Sequence, residues 1–180
     1  MIDTAQSLGI GAQAPDFQNL PGVDGQAYAL STFADKPVLV VMFTCNGCPT
    51  VKANEHRMMA IQERYADQGV QLLAINSNNP YLSPADTFAE MERRATEKHF
   101  NFPYVQDEHG SVARSYGAIS TPHVFVFDQQ RRLCYKGRID ETRDPARATY
   151  SDLEHALGDL LAHRPVRIPE TNPFGCAIVR

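Results

Sequence analysis

The sequence predicts an α/β domain in which a central mixed β-sheet is flanked by helices. Three observations carry that prediction. Residues 38–75 read as strand, helix and strand in succession, residues 123–139 as two closely joined strands, and a C-x-x-C pair stands where the first strand meets its helix.

The first strand is residues 38–43 (VLVVMF), a continuous apolar run rich in β-branched side chains, as expected of a central strand covered on both faces. After Pro49, residues 50–65 place Val51, Met58, Met59, Ile61 and Tyr65 at helical spacing and stop before Gly69, a C-terminal cap. Residues 70–75 (VQLLAI) form the next buried strand, parallel to the first in a βαβ unit. Residues 76–84 turn to Asn, Ser and Pro and read as a loop, with Asp86 expected to cap a helix that carries Phe88, Met91 and Ala95 on one face. Residues 102–107 (FPYVQD) suit a short edge strand, and residues 112–116 a short helix closed by Gly117. HVFVFD (123–128), the polar turn QQRR and LCYKGRI (133–139) suit an antiparallel hairpin, which makes the sheet mixed. Residues 152–163 form the last amphipathic helix through Leu153, Ala156, Leu157, Leu160 and Leu161.

The 180 residues suit one domain, 1–180, with a core over about 36–163, an N-terminal extension and a Pro-interrupted tail over 164–180; there is no internal repeat or linker. Hydrophobic residues make up 43% and charged residues 21%, so the chain is expected to bury a core of its own. A net charge of -4 leaves no basic surplus to attract nucleic acid or an anionic membrane surface. The start, MIDTAQSLGIGAQAPDF, lacks a basic segment followed by an apolar run, and no later stretch is long and apolar enough to span a bilayer. Four cysteines with one close pair do not make a secreted disulfide framework, so the expected location is cytoplasmic.

Cys45-Asn46-Gly47-Cys48 therefore becomes the candidate redox centre. Two intervening residues let both sulfurs lie on one side of a first helical turn, within bonding range. Helix N–H groups and the helix dipole favour a thiolate there, and the expected nucleophile is Cys45, titrating below the roughly 8.5 of a free thiol. A value of about 7 would correspond to roughly 2 kcal/mol of preferential thiolate stabilisation. Cys48 is then the resolving thiol, followed by Pro49 at an early helical position. Two other uses compete: the cysteines simply pack as small apolar residues, or they bind zinc or copper with a histidine such as His56, although no second C-x-x-C completes such a site. Thr121-Pro122 enters the strand HVFVFD and is a candidate cis bond.

The strand ending FTCNGCP, the AINSNN loop, Thr121-Pro122, YKGRID and the terminal GCAI together resemble the peroxiredoxin-like group of thioredoxin-fold proteins, over nearly the whole chain. That group is similar in outline to alkyl hydroperoxide reductase/thiol-specific antioxidant proteins (redoxins) but carries a thioredoxin-type C-x-x-C. The resemblance implies a thioredoxin fold, Cys45 and Cys48 as the redox pair, Pro122 as the facing cis-proline and Thr121 as the residue whose backbone pairs with substrate. Thr44 stands where thioredoxins have Trp, the chain has no Trp, and an apolar residue replaces the buried Asp of the active-site strand. Against peroxiredoxins, Cys48-Pro49-Thr50 is similar to the peroxidatic segment, but Cys45 takes the place of its upstream Thr and the upstream Pro is missing. Ser120 and His123 flank Thr121-Pro122 where relatives often have Cys and Asp.

His123 is a candidate source of positive charge for the Cys45 thiolate. Cys134 is expected in core packing, and Cys176 either docks the tail structurally or resolves a sulfenate or disulfide at the main site. The expected activity is thiol–disulfide oxidoreduction by Cys45 and Cys48, with no metal or other cofactor, on a disulfide-bearing protein or small molecule and with a separate thiol reductant. The alternatives are an antioxidant thiol peroxidase and a metal-binding or redox-sensing module.

Overall fold

A computed structural model describes residues 7–180, so the first six residues of the start read above for a secretory signal lie outside the described residues. The elements run β1 (Leu20–Pro21), β2 (Ala27–Tyr28), β3 (Val38–Thr44), α1 (Pro49–Tyr65), β4 (Val70–Asn76), α2 (Phe88–Lys98), β5 (Tyr104–Gln106), α3 (Ser111–Tyr116), β6 (Ser120–Thr121), β7 (His123–Phe127), β8 (Leu133–Gly137), α4 (Asp152–Leu161) and β9 (Cys176–Ala177).

Five strands form the central sheet in the order β5-β4-β3-β7-β8. β3 pairs with β4 in parallel and with β7 antiparallel, β4 pairs with β5 in parallel, and β7 and β8 form the expected hairpin. β3 is central and every residue of it is buried, which is why its sequence shows no polar alternation. Its side chains still alternate between two cores. Leu39, Val41 and Phe43 pack with α3 and with Phe17, Leu20, Tyr28 and Phe33, whereas Val38, Val40 and Met42 pack under α1, α2 and α4 through Met58, Ile61, Met91, Leu153 and Leu157. The core therefore begins well before residue 36: the N-terminal extension closes one face of the sheet.

α1 starts at Pro49, whose missing N–H costs nothing at a first helical position, and Cys48 is its extended N-cap. The chain leaves α1 through a short 3-10 turn to Gly69, at φ 84°, where a Cβ would sit 2.7 Å from Pro37 Cγ. Asp86 does not cap α2 as expected. Thr87 does, accepting the Glu90 N–H, while the Asp86 side chain turns inward. Cys134 is half-exposed on the edge strand β8, with its thiol donating to the Arg132 carbonyl at 3.4 Å, rather than packed in the core. Among the described residues no helix is long and apolar enough to cross a membrane.

The tail crosses the sheet ends instead of hanging free. The Lys136 N–H donates to the Pro169 carbonyl and the Thr171 N–H to the Lys136 carbonyl, each at 3.0 Å. Further on, β9 pairs antiparallel with β6, and the Asn79 N–H donates to the Val179 carbonyl at 2.8 Å.

Candidate redox site

Cys45 follows the last residue of β3 and Cys48 caps α1, so the C-terminal end of the central strand and the helix N-terminus converge on the pair. Cys45 is 3% exposed and Cys48 2%, which closes both sulfurs to a bulky partner in this conformation. Thr121 lies against both: its hydroxyl is 3.2 Å from Cys45 Sγ, and its carbonyl accepts from the Cys48 thiol at 3.4 Å. The Thr121–Pro122 bond is cis.

Asn46, between the cysteines, is held at three atoms. Its N–H donates to Asp86 Oδ1 at 2.7 Å, its Nδ2 to the Ala85 carbonyl at 2.8 Å, and its Oδ1 accepts from the Tyr104 hydroxyl at 2.8 Å. Asp86 in turn receives Asn76 Nδ2 and Asn78 Nδ2, each at 2.9 Å, and the Ser83 hydroxyl. A buried acidic side chain surrounded by four donors thus fixes the turn that carries the pair. The AINSNN loop supplies much of that shell, and its run of amides beside an Asp was the available sequence signal.

The three nearby thiols are not equivalent, and the order differs from expectation. Burial pushes Cys45 up, the Thr121 hydrogen bond opposing and the Asp86 charge reinforcing it, so its net shift is upward rather than the expected lowering. Burial also works against the Cys48 thiolate, but hydrogen bonds from the Cys176 side chain and from the N–H groups of Val51, Cys176 and Thr50 outweigh it and hold Cys48 below an ordinary thiol. The Thr50 and Val51 groups face the sulfur without closing a full N-cap bond. Cys176 is pushed up to about 11, first by its side-chain interaction with Cys48 and then by burial, so the two neighbouring thiols shift in opposite directions.

His123 does not supply the expected positive charge. Burial, reinforced by Lys136, lowers it to about 4, its Nδ1 accepts the Ile119 N–H at 3.4 Å, and its ring packs 4.5 Å from that of Phe125. His56 is exposed on α1, and among the described residues no group of three or more His, Cys, Asp and Glu side chains is placed to hold a metal. Cys176 is half-buried and packs against Cys45, Cys48 and Val51, which makes three thiols in one cluster.

A family model described as Redoxin matches residues 10–157. Among curated proteins the chain is similar to thiol-disulfide oxidoreductase ResA of Geobacillus thermodenitrificans (strain NG80-2), 27% identical over 127 residues, which are 71% of this chain and 68% of that protein. Among solved structures it is similar to an uncharacterized conserved protein from Geobacillus kaustophilus, with 34% identity, a TM-score of 0.91 and coverage of 97% of this chain and 94% of that one. A hypothetical protein from Sinorhizobium meliloti 1021 is also 34% identical, with a TM-score of 0.89 over 96% of this chain and 95% of that one.

Proposed function

The chain belongs to the Redoxin family, and from that premise we propose that it is a thiol–disulfide oxidoreductase that cycles between a Cys45/Cys48 dithiol and the corresponding disulfide. The observation that carries the reading is the geometry of the pair: Cys48 at the N-cap of α1, where its thiol is held below an ordinary one, and Cys45 three residues upstream, both against Thr121 of the cis Thr121–Pro122 bond. Cys48 attacks one sulfur of a substrate disulfide, forming a mixed disulfide and releasing the other substrate sulfur as thiolate. Cys45 then gives up its proton and attacks Cys48, closing the Cys45–Cys48 bond and releasing the second substrate thiolate, so two electrons pass to the substrate. A separate thiol reductant reopens the pair. Cysteine sulfur carries the chemistry without a cofactor. Thr121, which contacts both sulfurs, and the cis-bonded Pro122 beside it are where a bound substrate would pair.

The peroxidase reading gains no support from this geometry, because Cys45 occupies the position from which a Thr hydroxyl would orient a peroxide. The deciding experiment combines a redox titration with insulin disulfide reduction. The expected result is one two-electron couple and a loss of about a thousandfold or more in rate for Cys48→Ser. Cys45→Ser should instead accumulate mixed disulfide at Cys48. Full turnover by Cys48→Ser would sink the proposal.

A further inference from the structure

We infer that Cys48 has two alternative disulfide partners, Cys45 and Cys176, and that β9 is a tethered strand that presents the second one in the place of an incoming substrate. This inference rests on the thiol–disulfide reading above.

β9 is in register with β6 so that Thr121 faces Cys176, and the Ile178 N–H donates to the Ile119 carbonyl at 3.3 Å. The backbone edge beside the sulfurs is therefore already occupied by a strand whose cysteine lies against Cys48. The preceding residue must be glycine for that approach: a Cβ on Gly175 would lie 1.8 Å from the Thr121 carbonyl oxygen. The strand is held on both sides. Upstream, Thr171 is bonded to Lys136, and downstream the Val179 N–H donates to Asn78 Oδ1 at 2.9 Å. Cys176 is thus delivered by a strand anchored at both ends, at an effective concentration on the order of millimolar or above. With Cys45 and Cys48 only 3% and 2% exposed, a protein disulfide reaches them only when β9 has left Thr121.

The exchange balances without an added oxidant. After a substrate disulfide has been reduced, Cys45 and Cys48 are joined and Cys176 is a thiol. Cys176 loses its proton and attacks Cys48 Sγ, the Cys45–Cys48 bond breaks, the Cys48–Cys176 bond forms, and Cys45 leaves as a thiolate that takes up the proton. One disulfide and one thiol stand on each side. The side-chain interaction with Cys48 that raises Cys176 in the dithiol form is weakened once Cys48 is in a disulfide, so deprotonation of Cys176 becomes easier at that stage.

The test oxidises the full chain with one equivalent of diamide, blocks free thiols, and maps disulfides by mass spectrometry after trypsin. Cys45 and Cys48 share the peptide ending at Lys52, whereas Cys176 lies in the peptide 168–180. The expected result is both linkages in the wild type and Cys48–Cys176 as the main product in Cys45→Ser. Gly175→Ala should lower the Cys48–Cys176 yield and speed alkylation of Cys48, each by about tenfold, as the strand opens. The inference is overturned if Cys45–Cys48 forms and insulin is reduced, yet neither wild type nor Cys45→Ser joins Cys48 to Cys176. If neither linkage forms and insulin is not reduced, the oxidoreductase reading fails, and this inference with it.

Discussion

At the scale of single residues, the centre is set by how three sulfurs pack together beside Thr121. Cys48 is held below an ordinary thiol despite its burial, and the Cys176 side chain is the first group that holds it there. Replacing Cys176 by Ala removes the side chain that most favours the Cys48 thiolate, so the Cys48 titration should move up. The pH profile of iodoacetamide alkylation in Cys45→Ser, with and without Cys176→Ala, reads this directly; coincident profiles would contradict it. His123 gives a second test. Folded, it is lowered to about 4 by burial and by Lys136, whereas an unfolded imidazole titrates near 6.5. Between those values the unfolded chain binds more protons, so the contribution of neutral His123 is complete above about pH 6.5 and is lost as pH falls towards about 4, to the extent of about 3 kcal/mol. Urea midpoints against pH should fall over that window, and less steeply in His123→Phe. The closeness of Cys45 and Cys48 was readable from their spacing, and the position of Thr121 beside both sulfurs agrees with what the resemblance implied. The opposite shifts of Cys45 and Cys48 were not readable, because they depend on a cysteine far along the chain and on burial that only the assembled fold supplies.

At the scale of elements, the strands were legible because central, doubly covered strands write themselves as apolar runs, and helix limits differed mainly at the ends, where caps decide. Residues 50–65 became Pro49–Tyr65 once Cys48 was the cap, and residues 152–163 shortened to Asp152–Leu161. Asp86 shows why the local rule misled: an acidic residue just before a helix reads as an N-cap, but Thr87 fills that role and frees Asp86 for the Asn46 N–H. A link from α2's approach to the C-x-x-C turn has no signature in sequence spacing. Asp86→Ala leaves Asn46, Asn76 and Asn78 donors unmatched in a buried place and should cost about 3 kcal/mol in chemical denaturation. It should also loosen the turn, with faster backbone hydrogen exchange at Asn46 than in wild type. α1 and α2 are joined independently by the nearly buried Glu55–Arg94 pair, at 2.5 and 2.8 Å, so the Asp86 effect should stay local to the loop and the turn.

At the scale of the molecule, the mixed five-stranded sheet with helices on its faces is the thioredoxin-type arrangement expected from the order of the runs, whereas the paths of both ends were invisible. The N-terminal extension completes a core through Phe17, Leu20, Tyr28 and Phe33, which are scattered without a helix or strand period. The tail reads as irregular because its bonds are to other parts of the chain. Gly137 is where it runs tight against the central sheet: a Cβ there would lie 2.1 Å from Thr171 Oγ1. β8 is an outer strand, and the stretch around Glu170 bonds to Lys136 along its free side. An uncovered strand of this kind is a template for pairing with another chain. The segment that brings Cys176 to Cys48 is continuous with the one that shields β8, so release of the tail past Thr171, beyond what the opening of β9 alone requires, would make the molecule adhesive. Gly137→Ala should accordingly scatter more light than wild type as concentration rises. Solubility and availability for reaction are then traded against each other by one stretch of backbone, and the form with its tail fastened is the safest one to store.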